Sequence, residues 1–120
     1  MRPQIRATKF ESTVIEGEQT RHDVVIGLGV TITKRKKELS RSLCGTSHLI
    51  SIAEAQHILE KGARLLIIGT GQRGLVRLEE EARQFLDKKG CHVRLLPTPE
   101  AAQLWNRAEG AVIALLHVTC

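Results

Sequence analysis

A chain of 120 residues, 42% hydrophobic and 26% charged, has the length and composition of one soluble globular domain with a modest core. Its rings are Phe10, Phe85 and Trp105, with no tyrosine, so Leu, Ile, Val and Ala must build that core, and single-stranded nucleic-acid binding by base stacking is disfavoured. The net charge of +5 gathers in Lys34-Arg35-Lys36-Lys37 with Arg41 beyond, a basic surface patch expected as a solvated helix start or loop, with phosphates, an anionic membrane or an acidic partner as its other uses.

In chain order, the first third reads as β-rich. Residues 8–15 contain a strand, with Glu16-Gly17-Glu18 as the turn. Residues 23–27 and 30–34 form a hairpin around Gly27-Leu28-Gly29. Residues 36–47 read as a helical turn and then a loop. Ser51 and Glu54 have capping-box spacing, and Ile52, Ala55, Ile58 and Leu59 make one helical stripe ending at Gly62. Residues 64–68 are a buried strand that runs into Gly69-Thr70-Gly71. A helix over 79–89 follows, acidic at its start and basic at its end as the macrodipole prefers, with Ala82, Phe85 and Leu86 inside and Gly90 to stop it. Residues 92–96 are the next strand. Thr98-Pro99-Glu100 opens another helix, with Thr98 as cap and Pro99 at its first position. Ala101, Leu104, Trp105 and Ala108 share the buried side of that helix, Gly110 ends it, and residues 111–118 form the closing strand.

This order predicts a single α/β domain over residues 1–120. Three consecutive parallel strands are joined by right-handed crossovers with their helices on one face. The N-terminal β-rich segment packs on the other face or at an edge, giving a mixed sheet. The apolar runs are nearly continuous, as they are when both sheet faces are covered.

Cys44, Cys91 and Cys120 are odd in number and widely spaced, which predicts no disulfide framework and fits a reducing cytoplasm. Acidic residues from Glu11 onward argue against a signal peptide or presequence. No run approaches the ~20 apolar residues of a membrane span. Cys44 and His48 have metal-compatible spacing, but two candidate ligands do not make a site. Neither a metal nor a cofactor is expected.

Gly69-Thr70-Gly71-Gln72-Arg73-Gly74 matches GxGxxG, whose glycines let a backbone approach a pyrophosphate. Three features oppose a dinucleotide: the next strand ends in Leu95-Leu96-Pro97 with no acid for a ribose, the helix starts late, and too little chain follows. The better site is topological, in the crevice beyond the carboxyl ends of the parallel strands. There the candidate ligand or anion pocket comprises His48, Gly69, Thr70, Gly71, Thr98, His117 and Cys120, and the α-carboxylate of Cys120 is itself a candidate occupant. Cys120 as nucleophile with His117 as base meets the objection that residues three apart on a strand face opposite ways. His48 is the better-placed partner. A structural histidine and an inert thiol are the expectation, so no catalytic residue is assigned.

Gly45-Thr46-Ser47-His48, Ile67-Ile68-Gly69-Thr70-Gly71, Leu96-Pro97-Thr98-Pro99-Glu100-Ala101, Trp105-Asn106 and His117-Val118-Thr119-Cys120 occur here in a telling order and spacing. Together they resemble a family of small uncharacterised α/β domains that includes mitochondrial complex I assembly factor 3 and the adipogenesis-associated domain protein. The resemblance implies a compact α/β fold with a mixed sheet, and assembly or regulatory support without an established catalytic mechanism. Trp105 stands where relatives more often carry tyrosine, and the absence of a presequence fits a prokaryotic or cytosolic member.

Two functions follow. The first is a non-enzymatic accessory domain that binds an unknown protein partner. The second is a small-molecule or anion-binding domain, or an enzyme, with its site at the strand ends. A nucleic-acid role through Lys34 to Lys37 is a distant third.

Overall fold

The computed structural model describes residues 3–9, 12–16, 18–44 and 48–118. In chain order the elements are β1 (Ile5–Lys9), β2 (Ser12–Ile15), β3 (Glu18–Thr20), β4 (Val24–Ile26), β5 (Ile32–Lys34), α1 (Glu38–Cys44), β6 (Leu49–Ile50) and α2 (Ile52–Ile58). They continue with β7 (Leu65–Gly69), β8 (Arg77–Leu78), α3 (Glu80–Lys88), β9 (His92–Leu96), α4 (Thr98–Arg107) and β10 (Val112–Leu116).

The central sheet has the order β5-β4-β10-β7-β9. The apolar runs β7, β9 and β10 lie parallel, while β4 is antiparallel to both β10 and β5. A mixed sheet is therefore present, and the predicted hairpin around Gly27-Leu28-Gly29 supplies its antiparallel part. Gly27 and Val30 close that turn, with the Val30 amide donating to the Gly27 carbonyl at 3.0 Å.

The crossover helices do not share one face, contrary to the expectation from the sequence pattern. Side chains alternate along a strand, and the two alternating sets meet different helices. Leu66, Ile68, Ile113 and Leu115 pack with Ala82 and Leu86 of α3 and with Ala55 and Ile58 of α2. Ile67, Val112, Ala114 and Leu116 pack with Ala101, Ala102 and Trp105 of α4. Strand order is the reason. The β7-to-β9 crossover runs outward along the sheet, and the β9-to-β10 crossover runs back over β7. Two right-handed crossovers in opposite directions must place their helices on opposite faces.

The N-terminal segment matches its expected place in part: β4 and β5 lie at the sheet edge, but β1–β3 cover the face that also carries α4 rather than a face free of helices. β1, β2 and β3 form a separate antiparallel sheet, and Ile5 and Ile15 enter the core beside Trp105. Two side chains of α4 fasten it. Trp105 Nε1 donates to the Pro3 carbonyl at 2.7 Å. Asn106 accepts from the Ile5 amide at 2.8 Å and donates to the Ile5 carbonyl at 2.9 Å, satisfying both backbone groups of one residue as a neighbouring strand would.

Helix starts follow the sequence signals in part. Ser51 caps α2 by accepting from the Glu54 amide at 3.2 Å. The capping box is not completed, because the Ser51 amide donates instead to Ser40 Oγ at 3.0 Å. Pro97, not Thr98, is the N-cap of α4, and Thr98 opens the helix. Its hydroxyl is engaged at the strand ends.

Candidate functional site

The carboxyl ends of β7, β9 and β10 bring Gly69, Gly71, Thr98 and His117 together, and these residues largely satisfy one another. The His117 amide donates to the Gly69 carbonyl at 2.9 Å, and the Thr98 amide to the Gly71 carbonyl at 3.0 Å. Thr98 Oγ1 accepts from the Gly71 amide at 2.9 Å and donates to the His117 carbonyl at 2.7 Å. The Thr70 amide donates to the Leu96 carbonyl at 2.8 Å. Gly69 is required by this closure, since a Cβ there would lie 2.9 Å from Thr98 Oγ1 and 3.3 Å from Thr98 Cα. The glycine motif also fails as a phosphate cradle for a helix, because β8 intervenes and α3 begins only at Glu80.

Beneath these ends lies a buried ion network that no sequence motif announced. Asp23, Arg35, Glu54 and His117 are all buried. Asp23 Oδ2 accepts from His117 Nδ1 at 2.6 Å and from Arg35 Nη1 at 3.0 Å, and Asp23 Oδ1 accepts from the Val118 amide at 2.9 Å. Arg35 also grips Glu54 at two points, Nε to Oε2 at 2.6 Å and Nη2 to Oε1 at 2.8 Å. Ser40 Oγ donates to Glu54 Oε1 at 2.5 Å. Burial alone would raise the Asp23 carboxyl, but the His117 hydrogen bond and charge, the Val118 amide and nearby Lys37 bring it down to about 2. An ionised carboxylate only accepts, so His117 Nδ1 carries the proton in this pair. Burial likewise opposes the Arg35 charge, and the Glu54 and Asp23 carboxylates outweigh it and raise its pKa.

This network corrects the basic surface patch. Lys34, Lys36 and Arg41 are exposed, and Lys37 is partly exposed with Nζ 3.7 Å from Asp23. Arg35 has a fully buried side chain and cannot belong to a surface. The signal was hidden because the partners of Arg35 lie 12 and 19 positions away and Glu54 also fits a capping pattern.

His48 is exposed, yet its ring meets that of His117 edge-on, with centroids 5.6 Å apart. Cys120 and residues 45–47 lie outside the described residues, as does the Cys44 side chain. Cys91 is buried, and burial raises its thiol pKa. Among the described residues no group of three or more His, Cys, Asp and Glu could hold a metal ion. No helix among them is long and apolar enough to cross a membrane.

Just outside the closed strand ends is an open cleft of about 510 Å³, reached by Thr70 of the predicted pocket. Arg73 from the glycine loop, Arg77 from β8 and Arg83 from α3 line it, together with Gly74, and among the described residues no carboxylate does. All three arginines are exposed, and none joins an ion pair among the described residues. Backbone bonds hold the loop in place. The Val76 amide donates to the Thr70 carbonyl at 3.0 Å, the Arg77 amide to the His48 carbonyl at 2.8 Å, and the Glu79 amide to the Ile50 carbonyl at 3.0 Å. Sequence reading found the glycines and missed the arginines, whose spacing of four and six residues matches no motif.

Fold and site together define a small mixed-sheet α/β domain with a self-closed strand end and an arginine-lined cleft beside it. The chain belongs to the family described as "Protein of unknown function (DUF498/DUF598)", whose model matches residues 5–117. It is similar to a conserved hypothetical protein from Pyrococcus horikoshii, with 31% identity and a TM-score of 0.88 over 98% of this chain and 99% of that one. It is also similar to the solved structure of MT938, at 31% identity and a TM-score of 0.83 over 98% and 99% of the two chains. A Bordetella pertussis Mth938-like domain shares the fold at 18% identity and a TM-score of 0.64, over 97% of this chain and 85% of that one.

Proposed function

We propose that this protein is a non-enzymatic accessory domain, acting as one domain over residues 1–120, that binds a small anion in the cleft beyond β7 and β9. One observation carries the reading. Arg73, Arg77 and Arg83 come from three elements to a cleft that no carboxylate lines among the described residues, where guanidinium forks match the oxygens of carboxylates and phosphates. The strand-end residues Gly69, Gly71, Thr98 and His117 then form the rigid frame behind the site, with His48 at its edge and Thr70 reaching the ligand side. Because those inner residues bond to one another, the ligand sits outward of the pocket expected from topology alone. Binding without turnover suits the assembly or regulatory support that the resemblance to complex I assembly factor 3 implies, and the cytoplasm is the proposed compartment.

Thermal unfolding in sulfate, phosphate or citrate, against chloride at matched ionic strength, tests this. A saturable rise in Tm that disappears in the Arg73→Ala/Arg77→Ala/Arg83→Ala variant is expected. An equal rise in that variant would place the anion elsewhere and defeat the reading.

A protein partner is the second reading, favoured by exposed apolar residues. Val30 and Ile32, at the β4–β5 hairpin, are 38% and 41% exposed, and Leu75 beside the arginine cleft is 51% exposed. Affinity capture from the native host with wild type and Ile32→Asp examines it. Capture of the same proteins by both would remove the hairpin as the interface.

A further inference from the structure

Resting on the anion-binding reading, we infer that the cleft selects a soluble phosphate monoester with an apolar body over a bare inorganic anion. Charge sets the headgroup. Three arginines with no carboxylate among the described lining residues favour a dianion over a monocarboxylate, and a tetrahedral phosphate offers oxygens to more than one guanidinium fork. Volume sets the rest. At about 510 Å³ the open cleft lies within the roughly 300–1,000 Å³ of small-molecule sites. A water molecule occupies about 30 Å³ of liquid, so an ion the size of a few waters leaves most of the cleft unfilled.

The walls decide what fills it. Val76, Leu78, Leu95 and Pro97 line the cleft along with the arginines. Val76 is nearly fully buried, and Leu78, Leu95 and Pro97 are partly exposed. An apolar body covering them loses water from both surfaces. Among the described residues no aromatic ring lines the cleft, so the body is held by aliphatic contact. Three arginines around one hollow, rather than along a stripe, suit a small molecule better than a nucleic-acid backbone.

Calorimetric titration of the full chain with inorganic phosphate, glycerol phosphate and phenyl phosphate tests the inference, with sedimentation against phosphatidate vesicles in parallel. Phenyl phosphate is expected to bind about tenfold to a hundredfold tighter than inorganic phosphate, from apolar burial. Arg77→Ala should weaken every phosphate, by about tenfold or more. Leu78→Ser should weaken phenyl phosphate while leaving inorganic phosphate unchanged, and far-UV circular dichroism checks that each variant is folded. Equal affinity for phenyl and inorganic phosphate would overturn this inference and leave the anion reading standing. No binding of any phosphate would overturn both. Sedimentation with vesicles without binding of the soluble esters would also overturn it, by assigning the phosphate to a lipid headgroup.

Discussion

Arg35 and Glu54 form a two-point ion pair in which both side chains are fully buried, although each comes from a segment whose local sequence suggests exposure. Burying two charges is costly, and the geometry compensates by occupying nearly every polar atom. The guanidinium also serves Asp23, and the Glu54 carboxylate also accepts from Ser40. The pair ties β5 to α2, and through Asp23 it reaches the end of β10.

Breaking this pair from one side should be severe. Glu54→Ala removes the two-point partner of the buried Arg35 charge, and an expected loss of about 3–5 kcal/mol follows from an under-compensated buried ion. Arg35→Met should cost at least as much, since it takes the guanidinium away from two buried carboxylates at once. The double variant should lose less than the sum, which urea unfolding of all three proteins measures. Strict additivity would mean that the two residues act independently.

Asp23 gives the fold an acid dependence of defined sign. Its folded pKa is about 2 against a usual 3.8, so the unfolded chain binds the proton more readily. The contribution is therefore complete above about pH 4 and is lost as pH falls toward 2, each tenfold difference in proton affinity between the two states being worth about 1.4 kcal/mol. Unfolding free energies from pH 2 to 5 should rise with pH, and Asp23→Asn should flatten that rise while lowering stability at neutral pH. An unchanged slope in Asp23→Asn would assign the dependence to other carboxyls.

Asn106 should behave as a surrogate strand. Asn106→Leu keeps the bulk but leaves the Ile5 amide and carbonyl without their partner, at an expected cost of about 1–3 kcal/mol. Hydrogen exchange at the Ile5 amide should accelerate, with little change in β7. Uniform acceleration across both sheets would show that β1 is not a separately anchored unit.

Gly69 tests the closed strand end. Gly69→Ala forces a methyl against the Thr98 side chain and backbone, and an overpacked contact of this kind costs about 1–3 kcal/mol. Gly90→Ala, where open space would receive the Cβ but φ is +75°, separates steric crowding from backbone strain. Calorimetric Tm values of the two variants make the comparison. No loss in Gly69→Ala would mean that Thr98 can retreat and that the strand end is not tightly closed.

The parallel strands were legible because β7, β9 and β10 are short apolar runs between helix signals, and local pattern suffices for that. The side taken by α4 was not, because it depends on β10 returning across β7, a choice made by strand order rather than by any local stretch. Arg35 sat in a run of like charges, and only its distant partners distinguish it from Lys34 and Lys36. Glu54 matched a capping box, yet its carboxylate turns to Arg35. At the site, the late start of the helix after the GxGxxG glycines was legible, and α3 begins only at Glu80. The cleft beside them depends on arginines from a loop, a strand and a helix, a juxtaposition that exists only once the chain is folded.

The order β5-β4-β10-β7-β9 also bears on how the molecule is made. Synthesis proceeds from the N-terminus, so β4 and β5 emerge early, β7 and β9 later, and the strand that lies between these two pairs comes after all of them. Until Val112–Leu116 is available the nascent chain holds two half-sheets with no hydrogen bonds between them, each with an open inner edge. Asp23 meanwhile has no His117, and the Ile5 backbone waits for Asn106, 101 positions further on. Completion of the sheet, of the ion network and of the N-terminal clasp is thus deferred until α4 and β10 have been translated, and the unfinished chain is at its most vulnerable to wrong strand pairing just before them.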